Sequence, residues 1–301
     1  MQVDDTALLL IPPGACDCHV HVFMPEQFPY AAQRRYTPPA ATVEALLGMR
    51  RKLGVTRTVL VQPSCYGYDN RALCAALRAI GLDSARGVAV VDTHMVSDTE
   101  LRRLHEAGIR GLRMNFHVSG AADTSALARQ CQEAEARIHD YGWHLQIHAG
   151  AELLAALAPT LGTLRVPVVL DHFGGGARAA ATITELLRKH GHIWLKLSAP
   201  YRVSCQPAYA DLSEPLQRYL AVAPHRLLWA SDWPHTGGDG RRGGMSIDTI
   251  EPFRQEDPII LLNLLAQRVG SSKLLESILV HNPAALYGFG PPIPSSAKSI
   301  K

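Results

Sequence analysis

The chain has 301 residues, 47% of them apolar and 19% charged, with 30 Lys+Arg against 27 Asp+Glu and a net charge of +3. That balance excludes a disordered chain, which would carry fewer apolar residues and more net charge. It also excludes a polyanion binder, since Arg34, Arg35, Arg50, Arg51, Lys52 and Arg57 are scattered among apolar residues rather than gathered in a stripe, so no nucleic acid partner is expected. The apolar stretch 7–13 follows two aspartates and is far too short to cross a bilayer, so neither an export signal nor a membrane partner is expected. The six cysteines show no CxxC spacing, and Cys16 and Cys18 read as small apolar filler in a reducing compartment, which places the protein in the cytoplasm. Monomer and homo-oligomer are both left open.

Eight short apolar runs recur along the chain, at 15–23, 57–63, 85–91, 111–116, 144–150, 166–173, 193–198 and 227–234. Their starts lie 22–42 residues apart, the length of one strand, one helix and two loops. Eight such units predict an α/β fold, a distorted (β/α)8 TIM barrel, in preference to a doubly wound sheet. The helical period is clear in Val43, Leu46, Leu47, Met49 and Leu53, and again in Leu101, Leu104, Ala107 and Ile109. Asp98 and Thr99 are expected to cap the third helix, and Gly108, Gly142 and Gly191 to end helices. The glycine-rich stretch 237–244 is expected to be a mobile loop. A last helix is expected at 271–280 and a turn at 282–289, giving one domain over 1–289 and a flexible tail over 290–301.

In such barrels the reacting groups stand at the C-terminal strand ends, and nearly every predicted strand supplies a polar residue there. The first ends in Asp17, His19 and His21, the fifth in Gln146 and His148, the sixth in Asp171 and His172, and the eighth in Ser231, Asp232 and Trp233. The period of two puts His19 and His21 on one face, a geometry suited to a metal or an anion. A single strand-end histidine is most often structural. Four imidazoles and a carboxylate on four strand ends point instead to a functional set: His19, His21, His148, His172 and Asp232. Asp17 and Asp171 can equally bind neighbouring backbone. Of the other ten histidines, His94 and His117 follow strand ends near the rim, and the rest, such as His105, His139, His190 and His192, are expected at the surface or in caps.

Seven stretches then carry a resemblance: Asp17-Cys-His-Val-His-Val-Phe23, Gln62-Pro-Ser-Cys-Tyr-Gly-Tyr-Asp-Asn70, Gly108-Ile-Arg-Gly-Leu-Arg-Met-Asn-Phe116, Leu170-Asp-His-Phe-Gly174, Lys196-Leu-Ser-Ala-Pro-Tyr-Arg202, Trp229-Ala-Ser-Asp-Trp-Pro-His235 and Asn282-Pro-Ala-Ala-Leu-Tyr-Gly-Phe289. In this order the sequence resembles the amidohydrolase superfamily (amidohydrolase-related family 2), in the branch of pyrone-dicarboxylate and sugar-lactone hydrolases. The resemblance implies a hydrolase that opens a carboxylated lactone, of pyrone, muconolactone or sugar-acid type, by attack of a water activated by Asp232. A carboxylate held against water removes its proton as the tetrahedral intermediate forms and returns it to the leaving oxygen. His19, His21 and His172 would face the carbonyl oxygen, directly or through a metal.

Two departures from the pyrone-dicarboxylate pattern matter. Ser119 stands where a second arginine is expected six residues after Arg113, and His148 stands where those enzymes have tyrosine and metal-using relatives a ligand. His19, His21, His148 and Asp232 are therefore the expected ligand set for one Zn²⁺ or Mn²⁺, with metal-free catalysis the other possibility, since an enol leaving group needs little electrophilic help. Arg113 and Arg202 suit a substrate carboxylate, or else a structural ion pair. Asn115, Tyr36 and Ser64 are the remaining expected substrate contacts. Lys196 faces the pocket or pairs with Asp232, and Trp233 is core or pocket wall. A metal-dependent aromatic-acid decarboxylase, a lactone isomerase and a non-enzymatic anion-binding protein are the alternatives.

Overall fold

Eight parallel strands follow one another around a sheet in sequence order: β1 (Cys16–Val20), β2 (Arg57–Val61), β3 (Ala85–Ala89), β4 (Ile109–Asn115), β5 (His144–His148), β6 (Val168–Leu170), β7 (Ile193–Ser198) and β8 (Leu227–Ala230). The computed structural model describes residues 10–116, 123–238 and 246–291. His117, Ser119, most of the glycine-rich stretch and residues 292–301 of the expected tail lie outside them. The sheet closes into a barrel without a regular β1–β8 ladder. Asp232 N donates to the His19 carbonyl (3.0 Å) and His21 N to the Trp233 carbonyl (2.8 Å). Asp17 completes the seam with its side chain, accepting from Ser231 N at 2.9 Å and from the Ser231 hydroxyl. Burial pushes the Asp17 carboxyl up to about 6 despite these bonds.

Seven helices, α1 (Val43–Leu53), α2 (Arg71–Ile80), α3 (Asp98–Glu106), α4 (Thr124–Ile138), α5 (Ala151–Thr163), α6 (Ala180–Lys189) and α7 (Ser213–Val222), return the chain between successive strands, and α8 (Pro258–Val269) follows the eighth. Their apolar stripes pack on the outer face of the sheet, with Leu46, Leu77, Leu104, Leu157 and Leu187 fully or almost fully buried. Among the described residues no helix is long and apolar enough to cross a membrane.

The expected boundaries shift in four places. Strand β4 starts at Ile109, two residues early, so Ile109 belongs to the sheet. Ser97, not Asp98 or Thr99, caps α3, its side chain accepting from Glu100 N, because its extended backbone (ψ 157°) lets the hydroxyl reach the open amide. The last helix is divided into α9 (Ser272–Glu276), a π turn (Ser277–His281) and α10 (Asn282–Tyr287). Residues 282–287 are thus helical rather than a turn, and Gly288 ends them in the left-handed region at φ 67°. Finally, β1, β6 and β8 stop at Val20, Leu170 and Ala230, so His21, Asp171, His172 and Asp232 stand on irregular backbone just beyond the ladder.

The barrel interior is layered. At the bottom, Cys16, Cys18, Val59, Val61, Val88, Val169, Leu228 and Ala230 pack with Tyr287 and Phe289 of the C-terminal segment. Both cysteines are free thiols used as filler. Above them lies a buried polar layer of Lys196, Gln146, Asp171 and Arg113, on which the candidate site rests.

Candidate active site

The polar layer is set by strand alternation. Residues Gln146 and His148 on β5 lie opposite Arg113 and Asn115 on β4, while Lys196 and Ser198 share one face of β7. Lys196 Nζ donates to Gln146 Oε1 (2.7 Å) and lies 3.5 Å from Asp171 Oδ1. Asp171 Oδ2 accepts from Gln146 Nε2 (3.0 Å) and Arg113 Nε (3.3 Å). Burial alone would raise the Asp171 carboxyl, but the ammonium of Lys196, together with His19 and Arg113, outweighs it and holds Asp171 well below the usual carboxylate range. Lys196 therefore pairs with Asp171 rather than with Asp232, because its Nζ ends one layer beneath the strand-end carboxylate.

Asp171 orients His19. Its Oδ1 lies 3.3 Å from His19 Nδ1, and burial pushes this imidazole well below its ordinary value. Lys196 Nζ lies 3.4 Å from the same nitrogen, so Nδ1 is held against the polar layer and Nε2 turns upward. His21 is fixed in the same sense, since its Nδ1 donates to the Val61 carbonyl at 2.8 Å. Both Nε2 atoms converge on Asp232 Oδ1, at 3.7 Å from His19 and 3.6 Å from His21. His19 Nε2 and Asp232 Oδ1 are buried without a hydrogen-bond partner among the described residues. The other oxygen of Asp232 is fully engaged: Oδ2 accepts from Arg202 Nε (2.7 Å) and from the Tyr201 hydroxyl (2.8 Å). Burial would raise this carboxyl too, but the Arg202 guanidinium holds it well below the usual range, so it is ionised at neutral pH.

Three buried donors facing one point, two of them unsatisfied, fit a divalent cation. Neighbouring ligands of a tetrahedral ion at 2.0–2.1 Å lie about 3.4 Å apart, close to the separations seen here. The alternative grouping of His19, Asp171 and His172 is also compact, but the Lys196 ammonium beside Asp171 opposes a second cation there.

The structure does not bring His148 into this set. Arg113 Nη2 lies 3.2 Å from His148 Nδ1, and a guanidinium can only donate, so this nitrogen's lone pair is taken and the ring proton sits on Nε2. The His148 ring stands edge-on to His172, centroids 4.8 Å apart. His172 is held by Ser198, whose Oγ is 2.9 Å from Nδ1, and burial pushes its imidazole down to about 4. Its ring lies 5.0 Å from that of His19.

The two arginines expected at a substrate carboxylate both serve ion pairs. Arg113 binds Asp171, and Arg202 binds Asp232 through Nε while Nη2 donates to Thr236 Oγ1 (3.0 Å). A cleft of about 390 Å³ opens beside this region, lined by Ser64, Tyr68, His94, Arg113 and Asn115 among others. Tyr36 is buried in an aromatic cluster with Phe23 and Tyr66, and Trp233 packs, partly buried, against that cluster. Among the described residues, two of the remaining histidines are neither surface nor capping residues. His144 is buried at the base of the barrel, and His235 is 3% exposed beside Tyr201, with its Nδ1 3.1 Å from the hydroxyl. Tyr201 and His235 both stood in the quoted stretches, next to Arg202 and three residues after Asp232. Their irregular backbone offered no periodicity to place them.

The amidohydrolase family profile matches residues 16–289, nearly the whole barrel. The chain belongs to the amidohydrolase family. This amidohydrolase is 35% identical over 294 residues to the 4-sulfomuconolactone hydrolase of Rhizobium radiobacter, covering 92% of this chain and 91% of that one. It is 34% identical to the 2-pyrone-4,6-dicarboxylate hydrolase of Comamonas testosteroni, again covering 92% and 91%. Among solved structures, a probable 2-pyrone-4,6-dicarboxylic acid hydrolase from Acinetobacter baumannii with citric acid bound superposes with a TM-score of 0.75 at 27% identity, covering 92% of this chain and all of that one.

Proposed function

We propose that this amidohydrolase is a cytoplasmic lactonase that opens a carboxylated lactone by attack of water, with Asp232 as the base. The observation that carries this reading is Asp232 Oδ1, an ionised, buried carboxylate oxygen with no hydrogen-bond partner among the described residues, facing two imidazole Nε2 atoms. The hydrolases named above act on substrates of this class, which supports it further. Asp232 Oδ1 accepts a proton from the attacking water as the water oxygen bonds to the lactone carbonyl carbon. The ring C–O bond then breaks, and the proton passes to the departing oxygen. We assign to His172, whose Nδ1 lies 2.9 Å from Ser198 Oγ, the role of presenting an Nε2–H to the oxygen that gains charge. Arg113, Asn115 and Ser64 form the cleft wall for a substrate carboxylate. His19, His21 and Asp232 would hold one divalent ion, Zn²⁺ or Mn²⁺, which when bound polarises the carbonyl and lowers the pKa of water. The free thiols suit a reducing compartment.

The test is turnover of a panel of pyrone-dicarboxylate, muconolactone and aldonolactone substrates by the wild type and Asp232→Asn, with and without chelator. Ring opening that falls about 10²–10⁴-fold in Asp232→Asn supports the reading. Undiminished turnover removes Asp232 as the base. Release of CO₂ from an aromatic acid, or a lactone that migrates between hydroxyls without net opening, assigns the site to a decarboxylase or an isomerase instead.

A further inference from the structure

The two oxygens of Asp232 are inequivalent, and the groups that make them so extend beyond Arg202. Asp232 sits at φ 63°, in the left-handed region. The Tyr201 hydroxyl has one hydrogen. Facing an ionised carboxylate oxygen at 2.8 Å, it donates there. Its own oxygen is then an acceptor, and the atom positioned to donate to it is His235 Nδ1, at 3.1 Å. That fixes the tautomer of a buried neutral imidazole: the proton is on Nδ1, and Nε2, which has no partner among the described residues, carries the lone pair. Tyr201 and His235 come from different loops and are locked together. Arg254 lies over the Tyr201 ring at 4.8 Å, its N–H donates to the His235 carbonyl (2.8 Å), and its Nε donates to Glu256 (3.0 Å). His235 N in turn donates to the Asp232 carbonyl at 2.9 Å.

We propose that Tyr201 and His235 are positioning residues for Asp232: a directed chain, His235 Nδ1–H to Tyr201 Oη–H to Asp232 Oδ2, which keeps Oδ2 saturated and leaves Oδ1 alone to meet His19, His21 and the attacking water. A carboxylate held only by Arg202 through one nitrogen can rotate about its Cβ–Cγ bond and exchange its oxygens. A second, directional donor removes that freedom, and His235 removes the freedom of the donor itself. The chain supplies orientation rather than contact with substrate, in the way that outer hydrogen-bond partners tune a site. The proposal rests on the reading of Asp232 as base.

The direct test is the tautomer of His235 in the full-length protein by nitrogen-15 NMR. An Nδ1–H imidazole that reverts to the Nε2–H form in Tyr201→Phe is expected. An Nε2–H imidazole in the wild type overturns the chain. Kinetics give a second test through a mutant cycle. Tyr201→Phe lowers kcat about 10–100-fold with KM unchanged. His235→Leu lowers it in the same manner, and the double variant is no slower than Tyr201→Phe, because His235 acts through the phenol. Effects that multiply in the double variant would show two independent structural roles and sink the proposal. If His235→Leu does not fold, the tautomer in the wild type and Tyr201→Phe still decides. That readout needs no substrate, so a failed lactone panel and a failed chain are separate results.

Discussion

Arg202 Nε lies 2.7 Å from Asp232 Oδ2, on the carboxylate oxygen that His19 and His21 do not face. One oxygen is thereby neutralised while the other stays exposed to the site. Truncating this guanidinium leaves an uncompensated charge at a carboxylate that is only 1% exposed. Arg202→Met should cost about 3 kcal/mol of stability by urea unfolding at pH 7, the low end for a broken buried pair because Arg202 keeps some solvent contact. Asp232 is depressed by folding, so its paired charge contributes above the ordinary carboxylate value of 3.8 and loses that contribution as pH falls further. The gap between wild type and Arg202→Met should be full at neutral pH and close in acid. A gap independent of pH would assign Arg202 to packing alone.

The polar layer beneath the site makes a second case. Lys196 is fully buried with its Nζ against Gln146 Oε1 and Asp171 Oδ1. Lys196→Met removes the cation that offsets the burial of Asp171 and should cost about 3–5 kcal/mol. Arg113 still pairs with Asp171 in that variant, so adding Asp171→Asn should cost less than the two single losses summed. Additive losses in the urea midpoints would mean that the two charges do not interact.

His144 gives the barrel an acid-sensitive floor. Its ring lies against Gly111, where a Cβ would come within 2.3 Å, and edge-on to Tyr287 at 5.3 Å. Burial pushes this imidazole from 6.5 down to about 3. A base whose folded value is lowered contributes stability fully above its unfolded value and loses it as pH falls toward the folded one. Between pH 6.5 and pH 5, wild type should lose about 2 kcal/mol more than His144→Phe, at 1.36 kcal/mol per pH unit. Parallel pH–stability curves for the two proteins would refute it.

The barrel was legible because its signals are periodic. Apolar runs with strand spacing gave eight strands, and the period of two put His19 and His21 on one face. What followed the strand ends was not periodic. His172, Asp232 and His235 adopt φ values of 52°, 63° and 69°, conformations that side chains rarely take and that no hydrophobic pattern announces. Those turns decide which charged group meets which. They send Lys196 to Asp171, Arg202 to Asp232 and His235 to Tyr201, so the residue types were readable while the pairings were not.

The same logic separates the four expected metal ligands. His21 has its Nδ1 proton committed to the Val61 carbonyl, which frees Nε2 as a ligand atom facing Asp232. At His148, Arg113 donates to Nδ1 and the remaining ring nitrogen carries the proton. Binding a cation through that nitrogen would require the imidazole to release a proton or break from Arg113, whereas His21 needs neither. Zinc titrated into chelator-treated protein, against a competing chelator of known affinity, should therefore bind His148→Tyr about as tightly as wild type. In His21→Asn, affinity should fall at least about 10–100-fold, the range seen when even an outer partner of a metal site is lost. Equal losses in both variants would place His148 among the ligands and require the Arg113 contact to open when the ion enters.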